Sequence, residues 1–200
     1  MTPDRVLAAI TALRVAVPLT PDHRGPVLLA GYYAETGLDH LELPNLTRGA
    51  VAEHLRRAGV PADDLGNPAD HLAGFVFAAG RAGWAFVNAD DPIPRRRFTA
   101  AHELGHFILH RRTMGLFRAD TDATLREADE DVADQMEREA NRFAVELLMP
   151  SEICRARADE MYSTHGCCPR GVLVYRLASE LMVSHQAMKY RLQSLGVGDE

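Results

Sequence analysis

The feature that most narrows the folds open to this chain is His102-Glu103-Leu104-Gly105-His106. Histidines four residues apart stand one above the other on a helix face, so both imidazoles can converge on one metal ion. Glu103 lies about 100° around the helix from His102. That places it to act as general base on a zinc-bound water rather than to ligate. Leu104, Phe107, Ile108 and Leu109 give such a helix an apolar side to bury, and Gly105 leaves room for a neighbouring backbone. A catalytic site of this kind takes three protein ligands and keeps an open position. The fold must therefore press a second ligand-bearing element against this helix.

His110 continues the four-residue series, but geometry rejects it as the third ligand. Eight helical residues span about 12 Å, whereas zinc–nitrogen bonds are about 2 Å. The longer HExxHxxGxxH arrangement is absent, because Leu109 and Arg112 stand where it needs Gly and His. The better source is a second helix, read over residues 132–149 and ended by Pro150, which carries Glu137-Arg138-Glu139-Ala140-Asn141. Glu137 and Asn141 are again i and i+4. A carboxylate ligand and an amide able to accept a hydrogen bond from a ligand imidazole thus share a face. Glu139 points about 160° away from Glu137, so only one of the two can face the metal, and the Asn141 partner selects Glu137. The set His102, His106 and Glu137 makes Zn2+ the default cofactor, with Mn2+ as the alternative.

The rest of the chain reads as an ordinary globular protein. Its 200 residues are 46% hydrophobic and 25% charged, values that exclude wholesale disorder. A net charge of −6 argues against a protein that simply coats nucleic acid. No apolar run approaches the ~20 residues of a membrane-spanning helix. The apolar run at residues 6–17 is broken by Thr11 and Arg14, with no small-residue cleavage site after it, which argues against a signal peptide. Three cysteines, Cys154, Cys167 and Cys168, are an odd number with two adjacent, which suits free thiols and a cytoplasmic location.

Three segments are expected: 1–68, mostly helical and broken by Pro18, Pro21, Pro26 and Pro44; a core at 69–165 that carries the zinc site; and 166–200. Thr47 reads as the cap of a helix through Ala58. Residues 75–79 and 84–87 form a hairpin of β-prone residues. Asp91-Pro92-Ile93-Pro94 reads as a turn, with Thr99 capping the motif helix through Arg112. After a joint at 166–171 come two short amphipathic helices that part near Met182 and Ser184.

At this point a family comes into view. Arg97-Phe98-Thr99-Ala100-Ala101-His102-Glu103-Leu104-Gly105-His106, followed by Glu137-x-x-Ala140-Asn141-x-Phe143-Ala144-x-x-Leu147-Leu148-Met149-Pro150, resembles the ImmA/IrrE metallopeptidases. Leu72-Ala73-Gly74-Phe75 and Val87-Asn88 are similar too, and the resemblance covers about residues 70–196. It implies an α+β, zincin-like domain: a small antiparallel sheet plus the helices that carry HExxH and the third ligand. It implies a gluzincin-like endopeptidase, with His102, His106 and Glu137 as metal ligands and Glu103 as the catalytic glutamate. A strand edge beside the metal would hold an extended substrate. The substrate it implies is a protein, a helix-turn-helix repressor encoded nearby that controls stress, mobile-element or phage genes. Tyr162, His165 and Arg97 are the candidates for stabilising the tetrahedral oxyanion.

The last two helices have the look of a helix-turn-helix, with Val183 packing the turn and Ser184 capping the second helix. DNA contact would fall to Gln186, Lys189, Tyr190 and Arg191. From residue 165 on there are four basic and three acidic side chains, a thin electrostatic footprint that does not favour DNA. The alternative to the enzyme is a DNA-binding or protein-binding regulator with a structural or vestigial metal site. Glu103 speaks against it, having no obvious use in a closed site. Charge is also unevenly spread. Residues 119–139 hold nine acids and two bases, while residues 95–118 hold six arginines and a single acid, Glu103. Two solvated loops of opposite sign, or a polarised cleft that orients a charged substrate, would both produce that pattern.

Overall fold

The computed structural model describes residues 4–62, 65–79, 82–112, 117–120, 132–166 and 168–198. Residues 121–131, the middle of the acidic run, lie outside them, as do Cys167 and the side chain of His165. Described elements follow in the order α1 (Arg5–Ala16), α2 (Leu29–Thr36), β1 (Leu38–Leu43), α3 (Arg48–Arg57), β2 (Gly74–Ala79) and β3 (Ala82–Asn88). Then come α4 (Ile93–His110), β4 (Phe117–Asp120), α5 (Val132–Leu148), α6 (Ser151–His165), α7 (Arg170–Leu181) and α8 (His185–Ser194). The fold is α+β.

The four strands form one sheet in the order β1-β3-β2-β4. The predicted hairpin is its centre, with Phe75 opposite Phe86 in an antiparallel register. β4 adds antiparallel to β2, whereas β1 runs parallel to β3. The sheet is therefore mixed rather than antiparallel throughout, and one of its strands comes from the N-terminal segment. Alternation along a strand sends successive side chains to opposite faces. Phe75, Phe77 and Phe86 pack with Leu46, Val51 and Leu55 around α3, while Val76, Ala78, Ala85 and Val87 join the larger core under α4. That larger core takes residues from Val6 to Val197.

Thr47 does cap α3, its hydroxyl accepting from the backbone N–H of Ala50 at 3.2 Å. Thr99 does not cap α4. The helix begins at Ile93, with Pro94 in its first turn and Thr99 fully buried inside. First-turn N–H groups have no intrahelical acceptor, so a proline there costs little, and the predicted turn is the start of the helix. Met182 separates α7 from α8 in a left-handed conformation (φ 52°), and Ser184 caps α8 by accepting from Ala187 at 3.1 Å.

Two arginines clamp the C-terminal end of α5. Arg14 of α1 donates to the Glu146 carbonyl at 3.0 Å. Arg191 of α8, buried, donates to the Met149 carbonyl at 2.8 Å and grips the Glu146 carboxylate at 3.0 and 2.6 Å. Arg191 is thus withdrawn from the surface that a DNA-contact role would require, while Gln186, Lys189 and Tyr190 are exposed. Removing one partner of a buried pair leaves the other charge uncompensated. Arg191→Ala is expected to cost about 3 kcal/mol of stability, measured by urea unfolding.

Candidate metal centre

α4 and α5 meet where Gly105 faces Phe143. A Cβ at Gly105 would sit 3.0 Å from Phe143 Cδ1 and 3.2 Å from its Cβ, so a larger residue would have to push Phe143 back by a few tenths of an ångström. Phe143 is fully buried, and burying such a ring contributes roughly 1.5–3 kcal/mol. This contact seats the N-terminal half of α5 over the histidines of α4.

The result is a triangle of donor atoms. Nε2 of His102 and Nε2 of His106 are 2.9 Å apart; Glu137 Oε2 is 3.2 Å from the first and Glu137 Oε1 is 3.3 Å from the second. Among the described residues this is the group of three ligating side chains whose donor atoms lie within 4.8 Å of one another. Tetrahedral bonds of about 2.0–2.1 Å put neighbouring ligand atoms roughly 3.3 Å apart, so the triangle fits a zinc-sized ion. The donor chemistry fits as well, with two imidazoles and one carboxylate and a coordination position left open. His102, His106 and Glu103 are fully buried and Glu137 nearly so. Burial opposes ionisation of Glu137, but hydrogen bonds from His102 and His106 and their charges outweigh it, holding its carboxyl well below the usual carboxylate range.

Glu103 takes its place from the sheet. A Cβ on Gly74, the first residue of β2, would fall 2.1 Å from Glu103 Oε1 and 2.6 Å from the Thr99 methyl. The carboxylate therefore rests on bare backbone at the end of the central hairpin. Phe98 stacks near His102, with ring centroids 6.4 Å apart and planes 28° from parallel.

Two residues that the ligand argument set aside enter the site from behind. His110 Nδ1 lies 3.2 Å from His106 Nδ1, and His110 Nε2 lies 2.9 Å from Glu139 Oε2. When a metal ion takes the Nε2 lone pair of His106, the imidazole proton is on Nδ1 and is donated to His110. His110 in turn carries its proton on Nε2 and donates it to Glu139. Such outer hydrogen bonds fix the tautomer and orientation of a ligand imidazole. For His106 that place belongs to His110 rather than to Asn141, which lies half-buried one turn beyond Glu137 on α5. Glu139 is held in turn by Gln135, which donates at 3.0 Å. The sequence signals were present in the i+4 step from His106 to His110 and in the i+4 step from Gln135 to Glu139. Of the oxyanion candidates, Arg97 donates to the Val27 carbonyl at 2.9 Å, and the Tyr162 hydroxyl lies near Gly198.

A buried two-histidine, one-carboxylate triangle with a glutamate on the same helix turn is the arrangement of a metallopeptidase centre. The chain matches the model of the M78 peptidase family, described as an IrrE N-terminal-like domain, over residues 68–193, and it belongs to that family. No curated protein matches it. None of the described helices is long and apolar enough to cross a membrane. His110→Ala is expected to weaken metal binding about 10–100-fold without unfolding the chain, as read by competition with a chromophoric chelator.

Proposed function

We propose that the protein is a zinc-dependent endopeptidase of zincin-like design that cleaves a peptide bond in a protein substrate. The observation that carries this reading is the His102–His106–Glu137 triangle with Glu103 buried beside it. A zinc ion bound there supplies Lewis acidity, lowering the pKa of a coordinated water toward neutrality and polarising a peptide carbonyl. His102, His106 and Glu137 would hold it, and His110 with Glu139 would keep the His106 lone pair aimed inward. The Glu103 carboxylate accepts the proton of the attacking water and returns it to the departing amide nitrogen. Its seat against Gly74 limits the positions from which it can do so. The ion itself is proposed as zinc from the donor set, with manganese as the alternative.

The substrate supported by the family resemblance is a helix-turn-helix repressor encoded nearby, which would link cleavage to a stress or mobile-element response in the cytoplasm. A DNA-reading role for α8 finds less support, since Arg191 is spent on Glu146 and Met149.

Incubation of the neighbouring repressor with the protein is expected to yield discrete fragments. Glu103→Gln should retain one equivalent of metal and lose at least 100-fold in cleavage, whereas Glu137→Ala should lose the metal itself. Undiminished proteolysis by Glu103→Gln would overturn the mechanism. Gly74→Ala forces the Glu103 carboxylate aside, so its metal content should stay at one equivalent while turnover falls at least tenfold.

A further inference from the structure

Along the face of α4 that carries His102, one turn toward the helix start, a cavity of about 300 Å³ opens. Phe98 and Thr99 form its α4 side, Met149 contributes from the end of α5, and Val183 and Ala187 close it from the turn and first turn of α8. It is close to the metal centre on two counts. The Phe98 ring stacks on the His102 ring, and the Thr99 methyl and the Glu103 carboxylate both abut Gly74. One helical turn, about 5.4 Å, separates Phe98 and Thr99 from His102 and Glu103.

The lining is mostly apolar, and at the lower end of the size range of ligand pockets it suits one side chain rather than a whole cofactor. Arg95, at the rim, is salt-bridged to Asp91 at 3.2 Å, and its aliphatic stem is what it offers the interior. The far wall is fixed in place. Ser184 caps α8, and Arg191 ties that helix to Glu146 and Met149. A wall so anchored selects by shape.

We propose that this cavity is the specificity pocket of the enzyme: it receives a large apolar side chain, Leu, Met or Phe, from the substrate residue next to the bond cleaved. The C-terminal helix pair then serves the peptidase as the wall of that pocket, with Val183 and Ala187 turned toward substrate. The proposal rests on the endopeptidase reading above.

The test uses the zinc-loaded full chain and a peptide series, derived from the cleaved substrate, in which the residues flanking the scissile bond are changed in turn to Gly, Ala, Asp, Leu or Phe. At one flanking position Leu or Phe is expected to exceed Gly at least tenfold in kcat/KM. Ala187→Leu, which fills the pocket, should lower that ratio at least tenfold through loss of the Leu and Phe peptides, with the zinc content and the thermal melt unchanged. A second readout needs no turnover: in the Glu103→Gln background, Ala187→Leu should weaken binding of the Leu peptide at least tenfold by fluorescence anisotropy. Cleavage by the unmodified protein without side-chain preference, or a preference that Ala187→Leu does not alter, would overturn the pocket and leave the endopeptidase standing. Failure of the unmodified protein to cleave any protein or peptide substrate would overturn both. Should Ala187→Leu fail to fold, Val183→Ala, which enlarges the same pocket, takes its place, and a Leu-to-Gly ratio that it leaves unchanged would overturn the pocket.

Discussion

The close crossing of α4 and α5 at Gly105 and Phe143 is the contact on which the centre depends. α4 supplies two imidazoles from its own regular geometry, but the third donor is 31 positions away from His106 in the chain and reaches it only if the helices nearly touch. The residue permitting that approach is inside the histidine motif itself. Once the crossing is made, two rows form: Glu137 meets His102 and His106, and one turn on Glu139 meets His110. The arrangement gathers two carboxylates and two ligating imidazoles in the interior, where isolated charges are costly. A divalent cation bound there would offset that cost, and the same burial would strengthen every electrostatic interaction within the cluster.

The remaining elements hold this crossing in place. The central hairpin lies under α4, and its first residue, Gly74, provides the surface on which Glu103 rests. Parallel pairing with β1 ties the N-terminal segment into the sheet. At the far end of α5, Arg14 and Arg191 reach in from opposite ends of the chain to the same stretch around Glu146. The C-terminal helices are thereby joined to the helix pair that carries the candidate metal ligands, and the cavity between α8 and α4 follows from that attachment.

What the sequence made legible was local and periodic. The i, i+4 spacing of His102 and His106, the helix stopped by Pro150, the Thr47 and Ser184 caps and the hairpin all follow from short-range rules, and each lies where those rules place it. Four things were hidden, for physical reasons of different kinds. Pro94 looks like a helix breaker until its first-turn position is known, which moves the start of α4 back from Thr99 to Ile93. The parallel β1–β3 pairing joins segments some forty residues apart and leaves no short-range trace. His110 fails as a ligand on helix geometry alone. Its contacts with His106 and Glu139 become visible when the second helix is in place. Arg191 misled for a related reason, because an arginine on a short amphipathic helix reads as surface until Glu146 is found beneath it.

The central claim is that His102, His106 and Glu137 together hold one catalytic metal ion with a position left for water. X-ray absorption at the zinc edge, on the full chain loaded with one equivalent, tests it most directly. The account predicts two imidazole nitrogens and a shell of oxygens at about 2.0–2.2 Å, with the imidazole signal halved in His106→Ala. A sulfur shell at about 2.3 Å, or a spectrum unchanged by substitution of His106, would contradict it.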